Sequence, residues 1–328
     1  MARRKAKTGG NFRTALVHGK VFLRHDTGFD HPESAVRLQS MYAGIKNARL
    51  LSQVLSAAPR KTGKKWLLAA HDAEYVERFR RACKNGTRLF DHPDNVINRH
   101  SFDVALMAVG GVLTACDLVM RERVRNAFCM VRPPGHHAGR ASALGFCFFN
   151  NVAVAALYLR KKWGLARVAV ADIDVHHGSG TQQLFEEDPS VFYYSIHQHP
   201  SFTFPGTGRE FERGRGPGTG FTLNSPMSPG SGDEDYVKAL NRDLVPAMKS
   251  FKPDFFLVST GFDAHKNDEM ADMALTDCGY ARVFGIIKNL ADELCHGRLV
   301  SVLEGGYCLP CLSRLGPDHV RILLEQIP

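Results

Sequence analysis

The sequence lacks the features that would place it in or across a membrane. We expect no membrane-spanning segment, because no apolar run approaches the roughly 18 residues that a span needs. Residues 1–7, MARRKAK, are basic and lead into no apolar core of the kind that signal peptides have. We therefore expect a protein that is neither inserted nor secreted and that works inside the cell, in the cytoplasm or the nucleus.

The sequence also lacks a disulfide framework. Its eight cysteines are spread over 328 residues, and a chain of this size does not need covalent stapling to be stable. Reduced thiols in an intracellular compartment fit this distribution better. Six of them fall in predicted strands and helices: Cys83, Cys116, Cys129, Cys147, Cys278 and Cys295.

No strong charge run or internal repeat divides the chain. The net charge of +9 is partly due to residues 3–7, and the remaining basic residues are dispersed, which is typical of a solvated surface. We expect no direct nucleic-acid binding. With 44% hydrophobic residues the chain can bury a large core. We expect a basic, flexible tail over residues 1–12 and one domain over residues 13–328.

Short β-rich runs alternate with segments of helical composition. An apolar pattern of helical spacing lies between residues 31 and 61, at Leu38, Met41, Ile45 and Leu50. This alternation predicts an α/β fold, a single three-layer domain whose central, mostly parallel sheet is flanked by helices. The predicted strands are 14–17, 127–131, 167–173, 191–196, 254–260 and 299–303, and the clearest helices are 152–162 and 233–249.

Polar or glycine-rich residues follow the predicted strands directly. Since the carboxyl ends of parallel strands meet at one edge of a sheet, these residues should come together there although they are distant in sequence. We interpret the Gly/Pro-rich stretch 205–232 as long loops of the same site. The strand ends are RPPGHH (132–137), DVHHG (174–178), HQ (197–198), GFD (261–263) and EGGY (304–307).

Asp174, His176 and Asp263 are candidate ligands of one metal ion. Asp174 and His176 are alternate residues of an extended segment, so their side chains point the same way. Asp263 leaves another strand through a glycine. Two carboxylates and one imidazole neutralise Zn²⁺ and leave coordination positions open, as in catalytic sites. Any one of these residues alone would more often be a helix cap or a buried polar group.

Taken together, these motifs resemble the histone deacetylase family. The resemblance runs from HPE (31–33) to Tyr307 and is closer to class II and bacterial members than to class I. It implies the arginase-deacetylase fold and Zn²⁺ bound by Asp174, His176 and Asp263. The motifs that carry it are 132–137, GFC (145–147), DIDVHHGSG (172–180), FPGTG (204–208), 261–263 and 304–307.

The resemblance also implies catalytic roles. His137 would be the general base and His136 its partner in the tandem pair, with Asp172 orienting His136 through a carboxylate–imidazole hydrogen bond. Tyr307 would donate a hydrogen bond to the oxyanion. Ser179 stands where the family has Asp or Asn beside His137, which departs from the pattern.

The resemblance also implies a site for a monovalent cation. Asp172, Ser195 and Ile196, with Asp174 and the His176 carbonyl, match a monovalent-cation site of the family, and its oxygen ligands suit K⁺.

The substrate residues implied by the resemblance form a channel and its rim. Phe146 and Phe204 would line a narrow apolar tube for the lysine methylenes, and the Gly145 carbonyl would accept from the amide. Asp94 would hold the substrate backbone at the rim. Taken individually, each phenylalanine is more often a core residue, and a loop aspartate is more often a turn former.

Several functions remain open on this basis. The favoured substrate is acetyl-lysine in histones or other proteins, and the alternative is an acetylated polyamine or another small acetylated amine. A catalytically idle scaffold that binds acetyl-lysine is less consistent with the sequence, because no catalytic residue is missing. Arginase-like chemistry would require further carboxylates for a second metal ion. The oligomeric state is left open.

Cys308 and Cys311 directly follow Tyr307 and have no second pair of thiols that would complete a structural zinc site. Two hypotheses remain for them. They are packed thiols, or they form a reversible disulfide that acts on the Tyr307 loop.

Overall fold

Eight parallel strands form the central sheet. The computed structural model of the protein describes residues 12–325, and in this range the sheet order is β2-β1-β5-β10-β9-β6-β7-β8, with β3 and β4 forming a separate antiparallel pair. The strands are β1 (Thr14–Val17), β2 (Leu55–Ala57), β3 (Leu89–Phe90), β4 (His92–Val96), β5 (Asn126–Cys129), β6 (Val168–Asp172), β7 (Val191–Gln198), β8 (Thr222–Met227), β9 (Phe255–Thr260) and β10 (Leu299–Leu303).

Helices cover the sheet in two groups, which confirms the three-layer α/β prediction. The first group contains α1 (Val36–Asn47), α7 (Asp233–Ala239), α9 (Asp277–Cys295) and α10 (Leu309–Leu324). The second contains α2 (Lys64–Ala70), α4 (Ser101–Met120) and α5 (Asn151–Trp163). The remaining helices are α3 (Ala73–Lys84), α6 (Ser179–Phe185) and α8 (Val245–Phe251), and α8 continues from α7 through a π-helical turn at Leu240–Leu244.

The inner strands are buried along their whole length. All residues of β5, β6, β7, β9 and β10 are buried, as expected for a parallel sheet that is covered on both faces. Their apolar composition is what made them recognisable in the sequence. This rigid centre fixes the strand ends at which the polar residues stand.

Helix α4 corrects one expectation from the sequence. By length and composition, Ser101–Met120 could span a membrane, so the statement that no apolar run approaches that length was wrong. In this fold 72% of its most apolar window is buried against the rest of the protein. Its composition is explained by its position in the core, where it packs against α5 and β5.

Two edge strands were also missed. β8 lies within the stretch 205–232, which we interpreted as loops, and β2 forms the opposite edge of the sheet. Both contain residues that are only partly buried, and β8 includes a proline, Pro226, which edge strands tolerate. Neither therefore shows the continuous apolar run of an inner strand.

The predicted tail lies almost wholly outside the described residues, which begin at Phe12. Phe12 is partly buried and packs against the core. Leu50 is also buried, although α1 ends at Asn47 and does not include it.

Candidate active site

The polar strand ends meet at the carboxyl edge of the sheet, as predicted. Asp172 is the last residue of β6, Asp263 follows β9 and Glu304 follows β10. These three strands are neighbours in the order β10-β9-β6. All three carboxylates are buried, so the sheet brings acidic groups into the interior, where they need cations or hydrogen-bond donors.

Asp174, His176 and Asp263 form a cluster with the composition of a metal site. Their potential ligand atoms all lie within 4.8 Å of one another, and all three residues are buried. His176 Nδ1 lies 3.2 Å from Asp174 Oδ1 and 3.3 Å from Asp263 Oδ2. The 3.3 Å contact lacks the geometry of a hydrogen bond, and Asp263 Oδ2 has no other partner among the described residues. An unsatisfied carboxylate oxygen facing an imidazole and a second carboxylate fits a divalent cation.

The two buried carboxylates dominate the electrostatics of this cluster. Burial and the neighbouring Asp174 raise the pKa of Asp263 to about 6. Burial by itself would lower the pKa of His176, but the two carboxylates raise it to about 10. The two buried carboxylates thus favour a positive charge beside them, which a bound divalent cation would supply.

Two glycines allow backbone to lie against these carboxylates. A Cβ atom at Gly261 would stand 2.3 Å from Asp174 Oδ2, and one at Gly305 would stand 2.0 Å from Asp263 Oδ2. The Gly305 amide donates to Asp174 Oδ2 at 2.8 Å. The glycines of the GFD and EGGY motifs are thus required by this close approach.

The tandem histidines lie beside the cluster but differ in their electrostatic environment. His136 Nδ1 lies 3.1 Å from Asp172 Oδ2, as the resemblance implied. Burial would lower the pKa of His136, but Asp172 and Asp174 raise it to about 10. Burial and the neighbouring His136 and His176 hold the pKa of His137 well below its ordinary value. The surroundings thus favour the protonated form of His136 and the neutral form of His137.

Ser179, the residue that departs from the family pattern, forms no hydrogen bond with His137. Among the described residues, both Ser179 Oγ and His137 Nδ1 are buried without a partner. Ser179 is the first residue of α6, and the preceding Gly178 packs against Asp172 and His136. No acceptor within the described residues is hydrogen-bonded to Nδ1, so none there stabilises the protonated form of His137.

The Tyr307 loop is fixed from two sides. Asp268 Oδ2 accepts from the backbone amides of Tyr307 at 2.6 Å and Cys308 at 2.9 Å. On the other side, Arg37 donates to the carbonyl oxygens of Gly306 and Glu304, each at 2.5 Å. Burial raises the pKa of the Tyr307 hydroxyl well above its ordinary range, so it remains a hydrogen-bond donor.

Arg37 belongs to a buried ion cluster with Glu33 and Arg132. Arg37 Nη1 lies 3.0 Å from Glu33 Oε1, and Arg132 makes a two-pronged contact with the same carboxylate, at 2.6 Å and 2.8 Å. All three side chains are fully buried. Burial alone would raise the pKa of Glu33, but Arg132 and Arg37 lower it to about 2. The cluster joins the segment before α1 to the loops after β5 and β10.

A narrow cavity of about 200 Å³ leads to these groups. It contains all of the predicted substrate residues, and Asp94 stands at its partly exposed rim. The rings of Phe204 and His137 meet edge to face at 5.0 Å. Its lining is Asp94, Pro134, His136, His137, Gly145, Phe146, His176, Phe204, Met270, Gly305 and Tyr307.

Polar residues under the channel walls hold the two phenylalanines in place. Phe146 has a positive φ of 67°, and its amide donates to Asn95 Oδ1 at 2.8 Å. On the Phe204 side, His177 Nδ1 lies 2.8 Å from Thr207 Oγ1, and His197 Nε2 lies 2.8 Å from the Gly208 carbonyl oxygen. These hydrogen bonds therefore help to position the segments that carry Phe146 and Phe204.

The residues expected to bind K⁺ lie on two adjacent strands. Asp172 on β6 is the register partner of Ser195 on β7, which precedes the fully buried Ile196. Ser195 Oγ lies 2.7 Å from His197 Nδ1. Asp172 Oδ2 also accepts from the Tyr193 hydroxyl at 3.2 Å. Asp172 thus stands between the tandem histidines and the side of the sheet proposed for the ion.

Several residues at the site were not predicted from the sequence. Met270 lines the cavity, and Asp268, Asn95 and Arg37 position residues that line it. A positional argument could have found Asp268, because it lies five residues after Asp263 in the loop that follows β9. Arg37 offered no such indication.

Comparison with known proteins agrees with this geometry. A family model described as the histone deacetylase domain matches residues 31–323. A solved structure described as the HD domain of HDA15 superimposes with a TM-score of 0.90 at 35% sequence identity, covering 96% of this chain and 89% of that one.

Curated relatives extend the comparison. A probable deacetylase of Archaeoglobus fulgidus is 38% identical over 90% of this chain and 81% of its own length. Histone deacetylase 15 of Arabidopsis thaliana is 36% identical over 91% of this chain and 53% of its own length. Polyamine deacetylase HDAC10 of Danio rerio is 36% identical over 95% of this chain and 47% of its own length. The last two proteins are thus about twice as long as the region they share with this chain.

Proposed function

The chain belongs to the histone deacetylase family, and we propose that it is a zinc-dependent enzyme that removes acetyl groups from lysine side chains of proteins. One observation carries this proposal. The Asp174–His176–Asp263 cluster, the tandem histidines and Tyr307 lie together at one narrow cavity. Each group that amide hydrolysis requires is therefore within reach of one bound substrate.

Asp174, His176 and Asp263 would hold the metal. A bound Zn²⁺ would lower the pKa of a water molecule and polarise the acetyl carbonyl. The chain's own residues supply the proton transfers. His137, whose lowered pKa favours the neutral form, would take the proton that the attacking water loses. His136, whose pKa is raised and which Asp172 holds, would pass a proton to the leaving amine.

Tyr307 would stabilise the charge that develops on the acetyl oxygen. Its hydroxyl remains protonated because burial raises its pKa, and its backbone is fixed by Asp268 and Arg37. A fixed donor does not have to reorient during the reaction, which is the basis of oxyanion stabilisation.

The channel supports a linear aliphatic substrate. Phe146, Phe204 and Met270 provide apolar surface for the four lysine methylenes. The Gly145 carbonyl oxygen, which also accepts from the Cys147 thiol, would accept from the substrate amide. We further propose that Asp172, Ser195 and Ile196, with Asp174 and the His176 carbonyl, bind K⁺ through oxygen ligands.

An acetylated polyamine is the second candidate substrate, and two observations favour considering it. One relative is a polyamine deacetylase, and the carboxylate of Asp94 is 37% exposed at the cavity rim. There it could accept from peptide amides or pair with a distal ammonium group. Pairing with an ammonium group requires the negative charge of Asp94, whereas accepting from a peptide amide requires only an oxygen acceptor.

The test compares turnover of acetyl-lysine peptides and acetylspermidine by the parent and by Asp94→Asn. Asparagine keeps an acceptor but removes the charge. The kcat/KM for a peptide substrate should therefore fall little, while the kcat/KM for a polyamine should fall at least tenfold.

The test of the metal ligands measures metal content and activity together. Both should be lost in Asp174→Ala and in Asp263→Ala. Full activity with bound zinc in either variant would refute the ligand assignment, and faster turnover of acetylspermidine would refute the protein substrate.

A further inference from the structure

A second cavity, of about 620 Å³, opens at the edge of the sheet opposite the candidate active site. We propose that it binds a small molecule carrying two or more phosphate groups. Four arginines line it, with one histidine and one glutamate as the other titratable residues: Arg13, Arg123, Arg125, Arg298, His296 and Glu122.

The fold brings three of these arginines together. Arg13 directly precedes β1, Arg125 precedes β5 and Arg298 precedes β10, and these strands are neighbours in the sheet. The Arg125 amide donates to the Arg13 carbonyl oxygen at 2.7 Å, which fixes the two backbones side by side. Since strands of four or five residues are about 15 Å long, this cavity is well separated from the catalytic groups at the carboxyl ends.

Glu122 is the one acidic residue of the lining, and none of the four arginines forms an ion pair with an acid within residues 12–325. The arginines that form ion pairs within residues 12–325 lie elsewhere in the fold, and none of the four lining arginines is among them. Within the same range, Arg13 Nε is buried without a hydrogen-bond partner. Such a group needs an acceptor, because an unpaired buried donor is destabilising.

The chemistry of the lining favours phosphate groups. Guanidinium groups match phosphate oxygens with paired hydrogen bonds, and four of them around one cavity exceed what a single monoanion requires. Phe12, Val119 and Val124 add apolar surface for the rest of the ligand. The volume lies within the range of small-molecule sites, so a compact ligand fits the cavity better than a long nucleic-acid backbone.

A competing explanation is that these arginines serve the helix ends. Helices α4 and α9 end at Met120 and Cys295, close to the cavity, and basic residues stabilise the negative carboxyl ends of helices. Arg121 provides a matched control for this explanation. It caps the same end of α4 and is exposed, but it does not line the cavity.

The experiment measures binding of inorganic pyrophosphate and of ATP by calorimetry and by the shift in melting temperature. The proteins are the parent, Arg125→Gln, Arg298→Gln and Arg121→Gln. We expect both probes to bind the parent, each cavity variant to weaken binding about tenfold or more, and Arg121→Gln to bind like the parent. Tighter binding of ATP than of pyrophosphate would indicate that the apolar wall contributes. Deacetylase activity should be unchanged in all four proteins, which verifies that they are folded.

Three results would overturn the proposal. The first is that neither probe binds the parent. The second is that Arg121→Gln weakens binding as much as the cavity variants, which would assign the effect to general surface charge. The third is that a single-stranded oligonucleotide binds more tightly than either probe and in proportion to its length, since that would identify a nucleic-acid surface.

Discussion

The guanidinium carbon of Arg37 lies 4.8 Å from the centroid of the Tyr307 ring. The same side chain donates to the backbone on the amino-terminal side of that tyrosine, while Asp268 accepts from the tyrosine amide itself. Ring and backbone are therefore held separately from the hydroxyl group. This arrangement permits the hydroxyl to be removed without loss of the contacts that position the loop.

Tyr307→Phe should lower kcat by about 10²–10³, the usual cost of one lost oxyanion donor. The phenyl ring keeps its contact with Arg37, so metal content, melting temperature and substrate binding should stay close to those of the parent. Steady-state kinetics and metal analysis check this. A change confined to KM would show that Tyr307 only helps to bind the substrate.

Glu33→Gln should make the free energy of unfolding less dependent on pH in the acidic range. The pKa of Glu33 is lowered from 4.5 to about 2 by Arg132 and Arg37 against the effect of burial. Its contribution is therefore complete above about pH 5 and is lost as the pH falls towards 2. At about 1.4 kcal/mol per pKa unit, roughly 3 kcal/mol depends on this one carboxylate.

The measurement is the free energy of unfolding in urea between pH 7 and pH 3. Glu33→Gln should be less stable than the parent at pH 7, because two buried arginines lose their counter-charge, and the difference should shrink below pH 4.5. Glu77→Gln, at an exposed position on α3, is the control and should follow the parent closely. A difference that stays constant with pH would contradict the assignment.

Ser179→Asp tests the departure from the family pattern. A carboxylate facing the unpartnered His137 Nδ1 should raise the pKa of that imidazole and move the acidic limb of the pH–rate profile upward. Ser179→Asn adds similar volume without charge and should leave the limb in place. If the limb does not move in the aspartate variant, Ser179 does not act on His137.

The thiols that follow Tyr307 are joined in a disulfide, Cys308–Cys311, with their Cα atoms 5.2 Å apart, whereas the other six cysteines are free. We predict that this bond is reversible and affects the Tyr307 loop. Parent activity should change after dithiol reduction and return after mild peroxide, while Cys308→Ser should not respond. Cys278→Ser, at an exposed free thiol, should behave like the parent. Equal responses of parent and Cys308→Ser would refute the switch.

The clustering of Asp174, His176 and Asp263 was predictable from the sequence because these residues combine two recognisable properties. Asp174 and His176 are two residues apart after an apolar strand, and Asp263 follows another such strand. Parallel strands bring their carboxyl ends together, so strand identification and residue chemistry were sufficient. The family resemblance added roles for Tyr307 and His137, and the structure places both at the same cavity.

The supporting residues were not predictable in this way. Arg37 contacts Glu304, which is 267 residues away, and Arg132 contacts Glu33, which is 99 residues away. No local periodicity encodes such pairs, because an arginine within an amphipathic pattern is usually solvated. Strand β8 was missed for a related reason, since an edge strand with polar residues lacks the apolar run of an inner strand.

Gly305 provides a way to separate recognition from turnover. The space beside its Cα is occupied by the carboxylates of Asp263 and Asp174, so the single carbon of Gly305→Ala would displace two of the three proposed metal ligands. The change adds no charge, and it leaves Asp94, Phe146 and Phe204 at the channel untouched. Such a variant would be an inactive form of the enzyme that still binds, and does not convert, the acetylated molecules on which the parent acts. Recovering those molecules from a cell extract would identify the natural substrate directly.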